Sequence, residues 1–279
     1  YDLTREPTHD WIAFQHRILQ MYADWNPSTR DEIAREWYDR RIAHEDPANA
    51  LFVASQERGV LAELPKGRRH IVYFSSSGDE IIELDFDWSL YFTNQEIALR
   101  VLVEECARRP DVDLTVRTHP HMRLKPADDL VQWEAAVAAT PPDLHIDAKS
   151  PVDSYELMKA ADIVVTYGST VGVESAYLGK PTIVMGPSAY GILGCAEEVH
   201  SPEELADALD GAKAADAERA VCYGLMMMRR GMVFRHVQGD EVDGFVIQDV
   251  NIRPSGDLPA RVSDLLQKRR NRRLLERRR

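Results

Sequence analysis

The chain has 279 residues, 44% of them hydrophobic, with 46 acidic against 34 basic side chains and a formal net charge of −12. That is enough chain for one large or two modest cores, and the acidic balance excludes a general nucleic-acid binder, which needs a basic face. No stretch approaches the roughly 18 uninterrupted apolar residues of a membrane span, and no basic, apolar, small-residue leader opens the chain. The expectation is a soluble cytoplasmic protein in which Cys106, Cys195 and Cys222 stay reduced.

In chain order, residues 1–69 read as a helical segment. Trp11, Ile12, Phe14, Ile18, Leu19 and Tyr22 share one face of a first helix; Asn26-Pro27-Ser28 interrupts it, and Ser28 is placed to cap a second helix through Trp37 and Ile42. From 70 to 200 the pattern alternates: strands at 70–75, 113–118, 144–147, 162–167 and 181–185, helices at 94–108, 128–139, 153–160 and 170–178. Alternation with short connections demands a parallel sheet covered on both faces. The fold class is therefore α/β, a Rossmann-like parallel sheet with helices on both faces plus flanking helices. Thr93-Asn-Gln-Glu96 and Ser201-Pro-Glu-Glu204 read as capping boxes. A helix holding Met226, Met227 and Met228 follows, then a Gly-, Asp- and Val-rich stretch from Gly231 to Val250 that suits a short hairpin. Lys268 to Arg279 carries eight basic residues against one acidic, a charge that suits anionic lipid headgroups. Three parts are expected: helical 1–69, the sheet domain 70–258 and a basic C-terminal helix 259–279.

Chemistry concentrates at three strand ends. Asp162 to Gly186 reads as strand, turn, short helix and strand: Gly168 makes the turn, Ser169 or Thr170 caps the helix, and Gly179-Lys180-Pro181 stops it. A helix start placed there attracts an anion, and Glu174, one turn in, is within reach of a ribose joined to a bound phosphate. Upstream, Asp113 to His121 is a strand that runs into Arg117, His119, His121 and Arg123 at its carboxyl end, where open α/β sheets place ligands. His70 to Glu80 is a strand ending in Ser75, Ser76 and Ser77, with Asp79 and Glu80 as candidates to take a proton from an attacking hydroxyl. Asp85-Phe86-Asp87 matches a metal-holding D-x-D but follows the serine loop instead of facing the phosphate helix, and His119 with His121 is poor zinc spacing. No metal or cofactor is expected. A Walker A loop, a Gly-x-Gly-x-x-Gly and a Gly-x-Ser-x-Gly elbow are all missing from the sequence.

His119-Pro120, Gly168-Ser169-Thr170 followed by Glu174, and Gly179-Lys-Pro-Thr-Ile-Val-Met-Gly-Pro-Ser-Ala-Tyr190 resemble glycosyltransferases of the GT-B architecture. The loop Ser75 to Glu80 and the run Cys222-Tyr-Gly-Leu to Gly231-Met-Val-Phe resemble them too, so that the likeness covers roughly 50–240. Within that group the chain looks most like bacterial capsule and surface-polysaccharide enzymes, including the capsule Kdo transferases. The resemblance implies that Ser169, Thr170 and Glu174 hold a nucleotide's phosphate and ribose, that His119 contacts the phosphate leaving group, and that Lys149, Ser150 and Ser154 lie near the base. It implies metal-independent transfer of a sugar from a nucleotide donor, with CMP-Kdo the candidate, to a surface glycan or glycolipid at the inner face of the cytoplasmic membrane. CDP-glycerol glycerophosphotransferases and sugar-nucleotide 2-epimerases use a similar half-site, and a non-catalytic interaction module would retain the same fold. A GT-B active site is a cleft between two domains, so an acceptor-binding domain is expected outside this chain, with 1–69 a linker or remnant of it.

Overall fold

The structure is a computed structural model and describes residues 11–45, 53, 55–64, 67–77, 92–124, 127–139, 141–229, 237–240, 244–247 and 250–252. Contacts divide the chain into two units, Thr4–Arg230 and one formed from Gly231 onward with the first three residues. In the larger unit two helices, α1 (Trp11–Asp24) and α2 (Arg30–Ile42), precede a β/α series: β1 (Arg69–Phe74), α3 (Gln95–Ala107), β2 (Val112–Arg117), α4 (Ala127–Ala139), β3 (Leu144–Ile146) and α5 (Ser154–Ala160). The series continues with β4 (Ile163–Thr166), α6 (Val171–Tyr177), β5 (Thr182–Val184), β6 (Glu197–Glu198), α7 (Pro202–Asp210) and α8 (Ala217–Arg229). The six strands pair in parallel, in the order β3-β2-β1-β4-β5-β6, which is the doubly wound Rossmann arrangement.

Both faces of this sheet are covered, as alternation along the strands requires. Ile71, Tyr73, Leu114, Val116, Ile163 and Val165 point into a core shared with Leu99 and Leu102 of α3 and Trp133 of α4. Val72, Phe74 and Val164 point the other way, against Tyr155, Leu157 and Met158 of α5. A third cluster joins Trp37 and Tyr38 of α2, Val173 and Ala176 of α6, and Tyr223 of α8. Tyr38 stacks on Tyr177 with ring centroids 3.9 Å apart, and its hydroxyl donates to the Ala220 carbonyl at 2.6 Å. Gly224 is required here, because a Cβ on it would stand 2.2 Å from the Ala34 carbonyl oxygen.

Local signals hold with shifts of a residue. Asn94, in place of Thr93, caps α3, its side chain accepting from Ile97 N at 2.8 Å. Ser201 caps α7, while Glu204 reaches back to His200 N at 2.7 Å. Thr29 holds the cap position of α2 without a side-chain cap bond, its hydroxyl donating to the Asn26 carbonyl at 3.4 Å, and Ser28 bonds the Asn26 side chain. On α1, Ile18 is fully buried, but Ile12 is 70% exposed, so the apolar face is narrower than the sequence suggests. The stretch expected to make a hairpin holds three antiparallel strands, β7 (Val237–Asp240), β8 (Gly244–Ile247) and β9 (Val250–Ile252). The strand β6 escaped the sequence analysis: two glutamates carry no hydrophobic period.

Candidate functional site

The strand order reverses between β1 and β4, and at such a switch the neighbouring connections part to opposite faces and leave a crevice beyond the carboxyl ends. Phe74, the last residue of β1, is level with Arg117 on β2 and Thr166 on β4, so the three polar loops leave the sheet side by side. They are tied together. Ser75 N donates to the Arg117 carbonyl at 3.1 Å, His119 N donates to Ser75 Oγ at 2.8 Å, and Thr166 Oγ1 donates to the Phe74 carbonyl at 3.0 Å. Ser76 N donates to Gln95 Oε1 at 3.1 Å, anchoring the serine loop to the start of α3, and Ser77 beside it is buried.

Arg117 is 1% exposed. Its Nη1 donates to the Asp147 carbonyl, Nη2 lies 3.5 Å from the Ser150 carbonyl, and Nε has no hydrogen-bond partner among the described residues. Among the described residues no carboxylate pairs with it, and burial lowers its pKa to about 10 despite the partly offsetting charge of Asp147. A buried cation that bonds carbonyls and has no carboxylate in contact is electrostatically unfinished. His119, two residues on, is pushed down to about 4, first by burial and then by His121 and Arg117, so its ring is neutral near pH 7. His121 N donates to His119 Nδ1 at 3.2 Å, which places the ring proton on Nε2.

On the β4 side, Gly168 takes φ 72°, the left-handed turn that swings the chain into α6. Ser169 Oγ accepts weakly from Val171 N at 3.4 Å, and Tyr190 clamps the Ser169 carbonyl at 2.7 Å. Thr170 stands at the cap position without a side-chain cap bond among the described residues. Glu174 is buried, and its Oε1 accepts from Arg41 Nε of α2 at 2.6 Å. The loop between β3 and α5 closes this wall: Ser150 Oγ accepts from Val152 N at 3.3 Å, and Asp153 caps α5 by accepting from Tyr155 N at 2.9 Å. Lys149 is exposed, and Ser154 N donates to Gln56 Oε1 at 2.7 Å.

Of the residues singled out from sequence, Ser75, Ser76, Ser77, Arg117, His119, Gly168, Ser169 and Thr170 meet around the switch, with Ser150 and Glu174 on its flank. Asp79, Glu80, Asp85, Asp87 and the basic tail lie outside the described residues. Sequence reasoning missed Arg41, since nothing local marks a helical arginine as a partner for a residue 133 positions away. It also missed the Thr118 hydroxyl, which accepts from Trp133 Nε1 at 2.8 Å and lies 2.8 Å from His145 Nε2 beside a cavity of about 200 Å³. Among the described residues no helix is long and apolar enough to cross a membrane. Burial raises Cys106 and Cys195 to about 12, so neither serves as a thiolate nucleophile.

No protein-family profile matches the chain. Protein FixF of Sinorhizobium fredii is 27% identical over 92 residues, which is 33% of this chain and 20% of FixF. Among solved structures the chain is similar to two structures of Thermosulfurimonas dismutans KpsC. A β-Kdo 2,4 transferase is 12% identical with a TM-score of 0.43, covering 72% of this chain and 56% of that one. A β-Kdo 2,7 transferase is 18% identical with a TM-score of 0.41, covering 76% and 66%. A UDP-N-acetylglucosamine 2-epimerase of Listeria monocytogenes is 16% identical with a TM-score of 0.38, covering 66% and 47%. Kdo transferases thus stand among the solved structures that the chain is similar to. The chain spans a fifth of FixF and less than two thirds of either KpsC structure, and likeness of this size assigns no activity.

Proposed function

We propose that this chain is the donor-binding part of a metal-independent glycosyltransferase that moves a sugar from a nucleotide, CMP-Kdo being the candidate, to a surface or capsular glycan. The observation that carries the reading is Arg117: a buried cation with no carboxylate partner among the described residues, at the carboxyl end of a strand beside the switch. A phosphate monoester brought to Ser75–Ser77 and Gly168–Thr170 would supply the missing negative charge.

In this reading the acceptor hydroxyl attacks the anomeric carbon while the bond from that carbon to the phosphate oxygen breaks. The nucleotide leaves with the electron pair. His119 acts as a neutral Nε2–H donor to that oxygen, and the start of α6 and Arg117 stabilise the departing charge. The hydroxyl's proton passes to a carboxylate, for which Asp79 and Glu80 are the candidates. Glu174 accepts from the ribose, and Ser150 flanks the base. Acceptor recognition is assigned to a domain outside this chain, which would therefore bind nucleotide alone and transfer sugar poorly.

Thermal unfolding in the presence of CMP, CDP, UDP and GDP tests the reading. A ligand at 100 times its dissociation constant adds about 2.7 kcal/mol, so CMP is expected to give a clear upward shift. No shift with any of the four would overturn it, a shift confined to CDP would move the reading to glycerophosphate transfer, and binding without turnover beside an acceptor domain would leave an interaction module.

A further inference from the structure

The segment ahead of the sheet is wired into the β4 wall of the crevice. Arg41, in the last turn of α2, is 5% exposed and bonds Glu174 at 2.6 Å, with its guanidinium 4.8 Å from the Trp37 ring centroid. Just beyond α2, His44 Nε2 lies 3.1 Å from Asp153 Oδ1, and Gly59 N donates to Asp153 Oδ2 at 2.9 Å. Asp153 N returns a bond to the Val60 carbonyl at 2.8 Å. The end of α2 and the residues after it therefore grip the start of α5 and the middle of α6 together. Tyr155 of α5 stands beside both members of the pair, and its phenol is raised well above its usual value by burial and then by the Glu174 charge, which Arg41 partly offsets.

A buried ion pair is a weak source of stability, because the cost of removing two charges from water offsets their attraction. What such a pair does supply is direction, and an arginine fork fixes a carboxylate's orientation where a lysine leaves it looser. We propose that Arg41 is a positioning residue that holds the Glu174 carboxylate for the hydroxyls of a bound ribose, so that α2 is part of the nucleotide site. This rests on the nucleotide-binding reading above.

Calorimetric titration with CMP, run well below each variant's unfolding temperature, tests it. Glu174→Gln is expected to weaken CMP at least tenfold, and Arg41→Met to do the same, with Arg41→Lys restoring most of the loss. In the double variant Arg41→Met/Glu174→Gln, which removes both charges and so leaves none buried alone, affinity should equal that of Glu174→Gln. If Arg41→Met costs the same factor in both backgrounds, or costs nothing while Glu174→Gln weakens CMP, the positioning role is overturned and the ribose role stands. If Glu174→Gln binds CMP like the parent, or the parent does not bind CMP, the underlying reading fails and takes this one with it.

Discussion

The two sides of the switch handle buried charge in opposite ways. On the β2 side Arg117 bonds carbonyl oxygens and, among the described residues, no carboxylate, and His119 is driven neutral. On α6 and at the start of α5, Glu174 is ion-paired with Arg41, and Asp153 accepts from two backbone donors with His44 Nε2 at 3.1 Å. Both sides are buried, so burial does not separate them; completeness of pairing does. A paired wall is an assembled scaffold, whereas an unpaired cation beside it is a place where an anion gains more than it would in water.

The contrast predicts opposite responses to losing one charge. Glu174→Ala strands Arg41 in the interior and should destabilise by about 3–5 kcal/mol in urea unfolding. Arg117→Met removes a charge that has no carboxylate in contact among the described residues, and should cost no more than about 2 kcal/mol, the loss of donors to two carbonyls. Equal losses would erase the distinction.

His119→Ala should lower turnover of the complete enzyme by about 10²- to 10³-fold with little change in donor affinity, since a donor to the leaving phosphate acts mainly in the transition state. A rise in the Michaelis constant alone would make His119 a ground-state contact.

The neutral His119 also sets a pH response. Its folded pKa of about 4 lies below the usual 6.5, so as pH falls the unfolded chain takes up the proton first. Its contribution is fully present above about 6.5 and is lost between there and about 4, at roughly 1.4 kcal/mol per unit. Urea midpoints at pH 7, 5.5 and 4.5 should fall, and His119→Gln should flatten the fall. The smallest effect is expected from EDTA, which should leave turnover unchanged; loss restored by Mg²⁺ would bring back Asp85 and Asp87 as ligands.

Much of this architecture is local and so was legible. Ile163 to Thr166 announces a buried strand, Ser201 starts a helix where it was expected and Asn94 starts one a residue after the expected cap, and Gly168 and Gly179 both take φ 72° where turns were expected. The loops of the site were legible for the same reason, each following an apolar strand. What could not be read is what depends on distant pairing. The order β3-β2-β1-β4-β5-β6 is set by side chains meeting across the sheet, and the pairing of Glu174 with Arg41 exists because α2 folds onto α6 and α8. For the same reason the sequence marks Arg117 as a phosphate-binding candidate at a strand end but gives no sign that it lies in the interior and braces the loop after β3.

The central claim is that the unfinished charge at Arg117 is what receives a phosphate. Titrating the protein with CMP and with cytidine, in the parent and in Arg117→Met, tests it most directly. The account predicts that CMP binds at least tenfold more tightly than cytidine in the parent and that Arg117→Met removes most of that difference, while cytidine affinity changes little. CMP and cytidine binding equally in the parent, or a phosphate preference that survives Arg117→Met intact, would contradict it.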